Sequence, residues 1–102
     1  QTPFLEATFY GNVAAMELLA KHGANIRATD DEGGTALHLA APFARVAQLR
    51  WLVARGLDPN ARNRAGKRPL DLALASDGYA QRPRAEQQEV ATLLGGSERA
   101  SR

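Results

Sequence analysis

The sequence predicts an all-α fold, a short solenoid of helix-turn-helix units joined by hairpin-like loops. Three observations lead there: an internal period of 33 residues, helix-starting residues at the head of each period, and apolar faces that no single unit can bury. Thr2-Pro3-Phe4-Leu5-Glu6-Ala7 returns as Thr35-Ala36-Leu37-His38-Leu39-Ala40 and again as Arg68-Pro69-Leu70-Asp71-Leu72-Ala73, each copy 33 positions after the last. Gly23 and Gly56 keep the same step, as do Gly33 and Gly66.

The first helix of each unit has a start fixed by chemistry. Thr35 is a natural N-cap, and Pro3 and Pro69 suit the first helical position, where a missing amide proton is no loss. The second helix carries apolar residues at helical spacing, Met16, Leu18 and Leu19 in one copy and Leu49, Trp51, Leu52 and Val53 in the next. It ends at Gly23 or Gly56, which supplies a left-handed C-terminal cap. Between units, the polar stretches 25–34 and 58–67 close on glycines and place Asn, Asp and Gly where turns need them, so they read as hairpin-like loops. Stacking of neighbouring units buries the apolar faces.

The third unit departs from the register. Val90, Leu93 and Leu94 look like its second helix but fall 8 positions late, which an insertion near 77–84 explains. Gly78 and Pro83 argue against a continuous helix there, and Tyr79 is the expected anchor of the stretch. Gln88, Glu89 and Thr92 make the last helix polar, as a terminal capping unit requires. The expected domain spans residues 1–96, with units at about 2–34, 35–67 and 68–96 and a polar tail at 97–102. Phe4, Leu5, Ala7 and Phe9 crowd the first unit without a polar cap, so the chain is expected to continue upstream, in a further repeat or a disordered lead.

Composition sets the bounds. The chain has 102 residues, 44% hydrophobic and 24% charged, which matches a soluble globular domain with a small core. No apolar run approaches the roughly 20 residues of a spanning helix. The absence of cysteine excludes disulfides, thiol nucleophiles and zinc-thiolate clusters. The net charge of +2 is uneven, with −3 over residues 1–40 and +5 over the rest.

Thr35-Ala36-Leu37-His38-Leu39-Ala40-Ala41 resembles the T-P-L-H-x-A-A signature of the ankyrin repeat family, and Gly23-Ala24-Asn25-Ile26 resembles its G-A-x-hydrophobic end. The likeness covers residues 2 to about 95, with three copies in register. Arg68 and Asp71 replace the threonine and histidine of the signature in the last unit. Ala44 stands where the family has the glycine seen at Gly11, and Pro42 lies just before it, so the first helix of the second unit is expected to end early or bend. The resemblance implies that Thr35 and His38 tie the helix start to the neighbouring loop. It also implies partner contacts at loop tips and at the exposed ends of inner helices, which are here Phe9, Tyr10, Thr29, Asp31, Glu32, Pro42, Phe43, Arg62, Arg64, Ala65, Lys67 and Ser76.

Rival chemistries are weaker. His38 with Thr35 suggests a general base, but the structural tie is favoured. His22, beside Gly23 at a helix end, reads as a solvated cap. Asp30-Asp31-Glu32 lacks the spaced donors of a calcium loop, and Gly33-Gly34 lacks the lysine and hydroxyl of a phosphate cradle. Arg62, Arg64, Lys67 and Arg68 can grip phosphates, yet few aromatics interleave them, so an acidic protein surface is favoured over nucleic acid. Tyr10 and Phe43 lie 33 apart, with Phe9 and Pro42 as a parallel pair, and these columns are either partner anchors or cover for the insertion.

The expected function is that of a non-catalytic protein–protein interaction module, not an enzyme, with no cofactor and no metal. Its partner is expected to be another protein, with nucleic acid disfavoured and no membrane contact, and the chain is expected to act as a monomer in the cytoplasm, a periplasmic home remaining open. Two alternatives stand beside it: a regulatory ankyrin segment of a larger enzyme, and an RNA-binding ankyrin domain.

Overall fold

A computed structural model describes residues 2–100, with side chains described for residues 2–95. Gln1, at the head of the expected domain, and residues 101–102 of the expected tail lie outside the described residues.

Thr2 caps the first helix, α1 (Pro3–Phe9), its Oγ1 accepting from the Leu5 amide at 3.2 Å. Asn12 caps α2 (Val13–Lys21) in the same way, through the Ala15 amide at 3.0 Å. In the second unit α3 covers only Ala36–Ala40 and passes into a 3₁₀ turn at Ala41–Phe43 before α4 (Val46–Ala54). The third unit comprises α5 (Pro69–Leu74), a one-turn α6 (Asp77–Ala80) and α7 (Arg84–Ala100). The last helix thus runs across residue 97, where a polar tail was expected to begin.

The helices form two layers. In the inner layer α1 packs on α3 and α3 on α5, while in the outer layer α2 packs on α4 and α4 on α7. Between the layers lie Phe4, Leu5, Met16, Leu37, Leu49, Leu52, Val90 and Leu94, all buried. Trp51 reaches back over the preceding unit: its ring is 6.0 Å from that of Phe4, and its indole N–H donates to Glu17 Oε2 at 3.2 Å. Leu18, its equivalent one unit earlier, was expected in the buried stripe, but it has no described unit to reach back onto and is 58% exposed. Leu74 shows the same effect at the other end: it is 63% exposed, although its equivalents Thr8 and Ala41 are fully buried against the next unit.

The short α3 follows from Pro42, which offers no backbone donor and cannot continue an α-helical ladder. The chain then reverses at Ala44, with φ of 52°, where Gly11 of the first unit has φ of 79°. An alanine in this left-handed region costs about 1–2 kcal/mol. Its burial among the second unit's helices offsets part of that cost.

Units are joined by hydrogen bonds as well as by burial. The Thr35 amide donates to His38 Nδ1 at 3.0 Å, which leaves Nε2 to carry the proton it donates to the Lys67 carbonyl at 2.8 Å. In the third unit Asp71 replaces His38, and its Oδ2 accepts from the Arg68 amide at 2.8 Å. The loops repeat a second device. Asp30 Oδ1 accepts from the amides of Glu32 and Gly34, and Asn63 Oδ1, 33 residues on, accepts from those of Ala65 and Lys67. The Arg64 amide then donates to the Glu32 carbonyl at 2.8 Å and links one loop to the next.

Within the stretch expected as an insertion, Ser76 caps α6 through the Gly78 amide and donates its hydroxyl to the Pro42 carbonyl at 2.9 Å. Gly78 permits this close approach, because a Cβ would lie 3.0 Å from the Pro42 carbonyl oxygen and the junction would have to give by a few tenths of an ångström. Tyr79 is buried, and its hydroxyl donates to the Gln87 carbonyl at 2.8 Å, fastening α6 to α7. Among the described residues no helix is long and apolar enough to cross a membrane.

Three outcomes are expected. Leu37→Ala and Leu52→Ala, both at fully buried positions, should each cost about 2–5 kcal/mol. Exposed His22→Ala should stay within about 0.5 kcal/mol, and thermal unfolding of the three variants checks the register. Tyr79→Ala should speed amide exchange in α6 and the first turn of α7 and leave α1 and α2 unchanged, whereas Tyr79→Phe should lose only one hydrogen bond, about 0.5–1.5 kcal/mol.

The third concerns acid. The Arg68 side chain, and then its amide, hydrogen-bond the Asp71 carboxylate and hold its pKa below the usual aspartate range. The stabilisation from this lowered pKa is complete above the ordinary aspartate value and disappears as pH falls through the lowered one. Asp71→Asn should therefore flatten the loss of melting temperature between about pH 5 and pH 2 relative to the parent protein.

Candidate functional site

The residues expected to meet a partner fall into two clusters and one internal pair. The first cluster is aromatic. Phe9 ends α1, Tyr10 follows it, and Phe43 ends the 3₁₀ turn, so the helix ends of two units bring three rings together. Phe9 meets Tyr10 edge-on at 5.2 Å between centroids and Phe43 edge-on at 5.6 Å. Tyr10 is 74% exposed and Phe43 42%. Glu6 and Leu39 join Phe9 and Tyr10 around a cleft of about 270 Å³. Phe43 also lies against the start of α6, since a Cβ on Gly78 would be 3.5 Å from its ring. The ring therefore both covers α6 and keeps an open edge.

The second cluster lies on the loops. Thr29, Asp31 and Glu32 are exposed on the first, and Arg62, Arg64, Ala65 and Lys67 on the second. The Glu32 carbonyl to Arg64 amide bond sets the acidic tip beside the basic one. Arg62 is partly committed, because its Nη1 donates to the Gly66 carbonyl at 2.8 Å. Asp30 spends its carboxylate on the turn, so the acidic charge offered outward is that of Asp31 and Glu32.

Pro42 and Ser76 form the internal pair. They are half-buried and bonded to each other, so the Ser76 hydroxyl serves the junction of α6 with the second unit. His38 is 3% exposed, with both ring nitrogens engaged in the ties described above, an arrangement that has no room for a substrate.

A third group was not anticipated from the sequence. Arg45, Gln48, Arg82, Glu86 and Glu89 surround a cleft of about 340 Å³ beside Phe43. The available signal was Gln48, a carboxamide one residue before Leu49 in a helix whose inward face is otherwise apolar.

A sequence model of the family described as "Ankyrin repeats (3 copies)" matches residues 1–63. The match ends just before the unit in which Arg68 and Asp71 replace the signature residues. Protein phosphatase 1 regulatory subunit 27 of Homo sapiens and that of Mus musculus are each 39% identical over 67 residues, 66% of this chain and 44% of theirs. The Neurogenic locus Notch protein of Drosophila melanogaster is 45% identical over 62 residues, 60% of this chain and 2% of its own length. The chain thus spans less than half the length of these relatives. Ankyrin repeats mediate protein–protein interaction. The 33-residue period, the two-layer stack of helix pairs and the match over more than half of the sequence place this chain in the ankyrin repeat family.

Proposed function

We propose that this chain is a non-catalytic interaction module whose partner protein docks on the concave side of the inner helices. Tyr10 and Phe43 anchor it, with Asp31 and Glu32 flanking on one loop and Arg62, Arg64 and Lys67 on the next. The observation that carries the reading is the exposure of Tyr10, 74%, in a ring cluster that ordinary burial would hide. Exposed aromatics with an apolar body and a polar tip are the side chains on which interfaces concentrate binding energy. The change of sign between adjacent loops orients the partner, and the exposed basic tip favours an acidic surface opposite it.

The likeness to phosphatase regulatory subunits favours a second, narrower reading, in which the module regulates an enzyme, either a separate chain or the remainder of its own. Both readings place the chemistry elsewhere and use the same surface.

With a partner captured from native cell extract and the interaction measured by surface plasmon resonance, the Tyr10→Ala, Phe43→Ala double variant should dissociate faster and lose about 2 kcal/mol or more, with little change in association rate. Arg62→Glu with Arg64→Glu should instead slow association and reduce its dependence on salt. Unchanged affinity in a folded double variant would remove the concave face from consideration.

A further inference from the structure

The cleft beside Phe43 is assembled from the second and third units. Gly11 lies behind it, Arg45 and Gln48 belong to the start of α4, and Arg82, Glu86 and Glu89 come from the third unit. Arg82 Nε pairs with Glu86 Oε1 at 2.7 Å, and Glu89 pairs with Arg50 just outside the cleft. With those pairs neutral, Arg45 is the unmatched charge of the lining.

Arg45 is also unmatched in hydrogen bonding. Its Nε is buried and has no hydrogen-bond partner among the described residues, and its guanidinium carbon lies 5.7 Å from the centre of the Phe43 ring. Gln48 is only 5% exposed, and its carboxamide makes no hydrogen bond to a described residue. The two polar ends meet at Gly11, where a Cβ would be 3.1 Å from Gln48 Nε2 and 3.2 Å from Arg45 Nη1. Arg45 stands 33 residues after Asn12, which caps α2, but a guanidinium has no acceptor and α4 begins without a side-chain cap. Buried donors are nearly always satisfied, and the Arg45 Nε–H is not, beside the Gln48 carboxamide and a helix start with no side-chain cap.

We propose that this cleft is a carboxylate-binding subsite, in which Arg45 with Gln48 beside it receives an acidic group of a docked protein segment. A planar monoanion matches one guanidinium fork. Glu86 and Glu89 line the same cleft, and even paired carboxylates in the wall disfavour the second charge of a phosphate more than a single one. The volume of about 340 Å³ admits one side chain or one chain end. The subsite deepens the proposed docking role, because Phe43 belongs to both surfaces, but a carboxylate can be tested on it without the partner.

The test follows the Gln48 side-chain amide resonances, present in the parent and in every Arg45 variant, together with the parent's Arg45 Nε–H, in the whole ¹⁵N-labelled chain at neutral pH and constant ionic strength. Three probes are titrated: N-acetyl-glutamate amide for a side-chain carboxylate, N-acetyl-alanine for a chain terminus, and inorganic phosphate. A saturable shift with a carboxylate, and none with phosphate beyond that of chloride, is the expected result, the tighter carboxylate naming the source. Arg45→Gln should weaken binding about tenfold, and Arg45→Lys, which keeps the charge but loses the fork, should also weaken it. Shifts that grow without saturating, preference for phosphate, or binding that survives Arg45→Gln would overturn the subsite. So would a captured partner that is released by the Tyr10→Ala, Phe43→Ala variant but holds Arg45→Gln and Arg45→Lys as tightly as the parent, an outcome that leaves the docking role intact.

Discussion

Burial between neighbouring units is the constraint on which everything else in this molecule depends. Each helix pair has an apolar face with nothing of its own to cover it, and Leu37, Leu49 and Leu52 reach zero exposure only because units stand on both sides of the second one. Leu18 and Leu74 demonstrate the rule by exception, since they occupy stacking positions at the two ends of the described stack and remain in water. Stability in such a chain is carried by interfaces between units, and surface positions on helix ends and loop tips are left free to vary without disturbing it.

Hydrogen bonds hold those interfaces in register, and different residues can make the same bond. His38 accepts from the amide of its N-cap residue and spends its second nitrogen on the next loop, and Asp71 makes the first of these bonds with a carboxylate. A carboxylate has no donor for a following loop, so the substitution suits the last described unit, beyond which no further loop lies in the described stack. Asp30 and Asn63 likewise close equivalent loops with side chains of different charge.

Most of the fold was legible in the sequence because period, caps and apolar spacing are local signals. The early end of α3 was readable from Pro42 and Ala44, and the helix indeed stops at Ala40. Exposure at the ends was not readable, because Leu18 and Leu19 have the same hydropathy and only the presence of a neighbour separates them. Tyr10 and Phe43 could be paired from their 33-residue spacing, and the structure joins them through Phe9. Ser76 shares the repeat position of Tyr10 and Phe43, and a serine there is short enough to bond Pro42 and cap α6. The cleft was invisible because its two walls are 34 or more residues apart in sequence, from Gln48 to Arg82 at the nearest, with no fixed spacing to reveal them.

The cleft and the irregular third unit are parts of one arrangement. In a regular stack the outer helix of the third unit would follow its inner helix directly, as α2 follows α1. Residues 75–83 instead place α6 against the 3₁₀ turn of the second unit, held by Ser76 and by the close approach of Gly78 to Pro42. Tyr79 then carries α7 in from α6, and Arg82, Glu86 and Glu89 arrive opposite Arg45 and Gln48. An unpaired arginine on an open helix end would be solvated and unremarkable. Beside the third unit the same residue is half-buried, with its Nε withdrawn from water next to Gln48, and its attraction for an anion is strengthened by the lower local dielectric. The departure from the repeat pattern thus converts a generic helix junction into a chemically specific surface next to the aromatic patch.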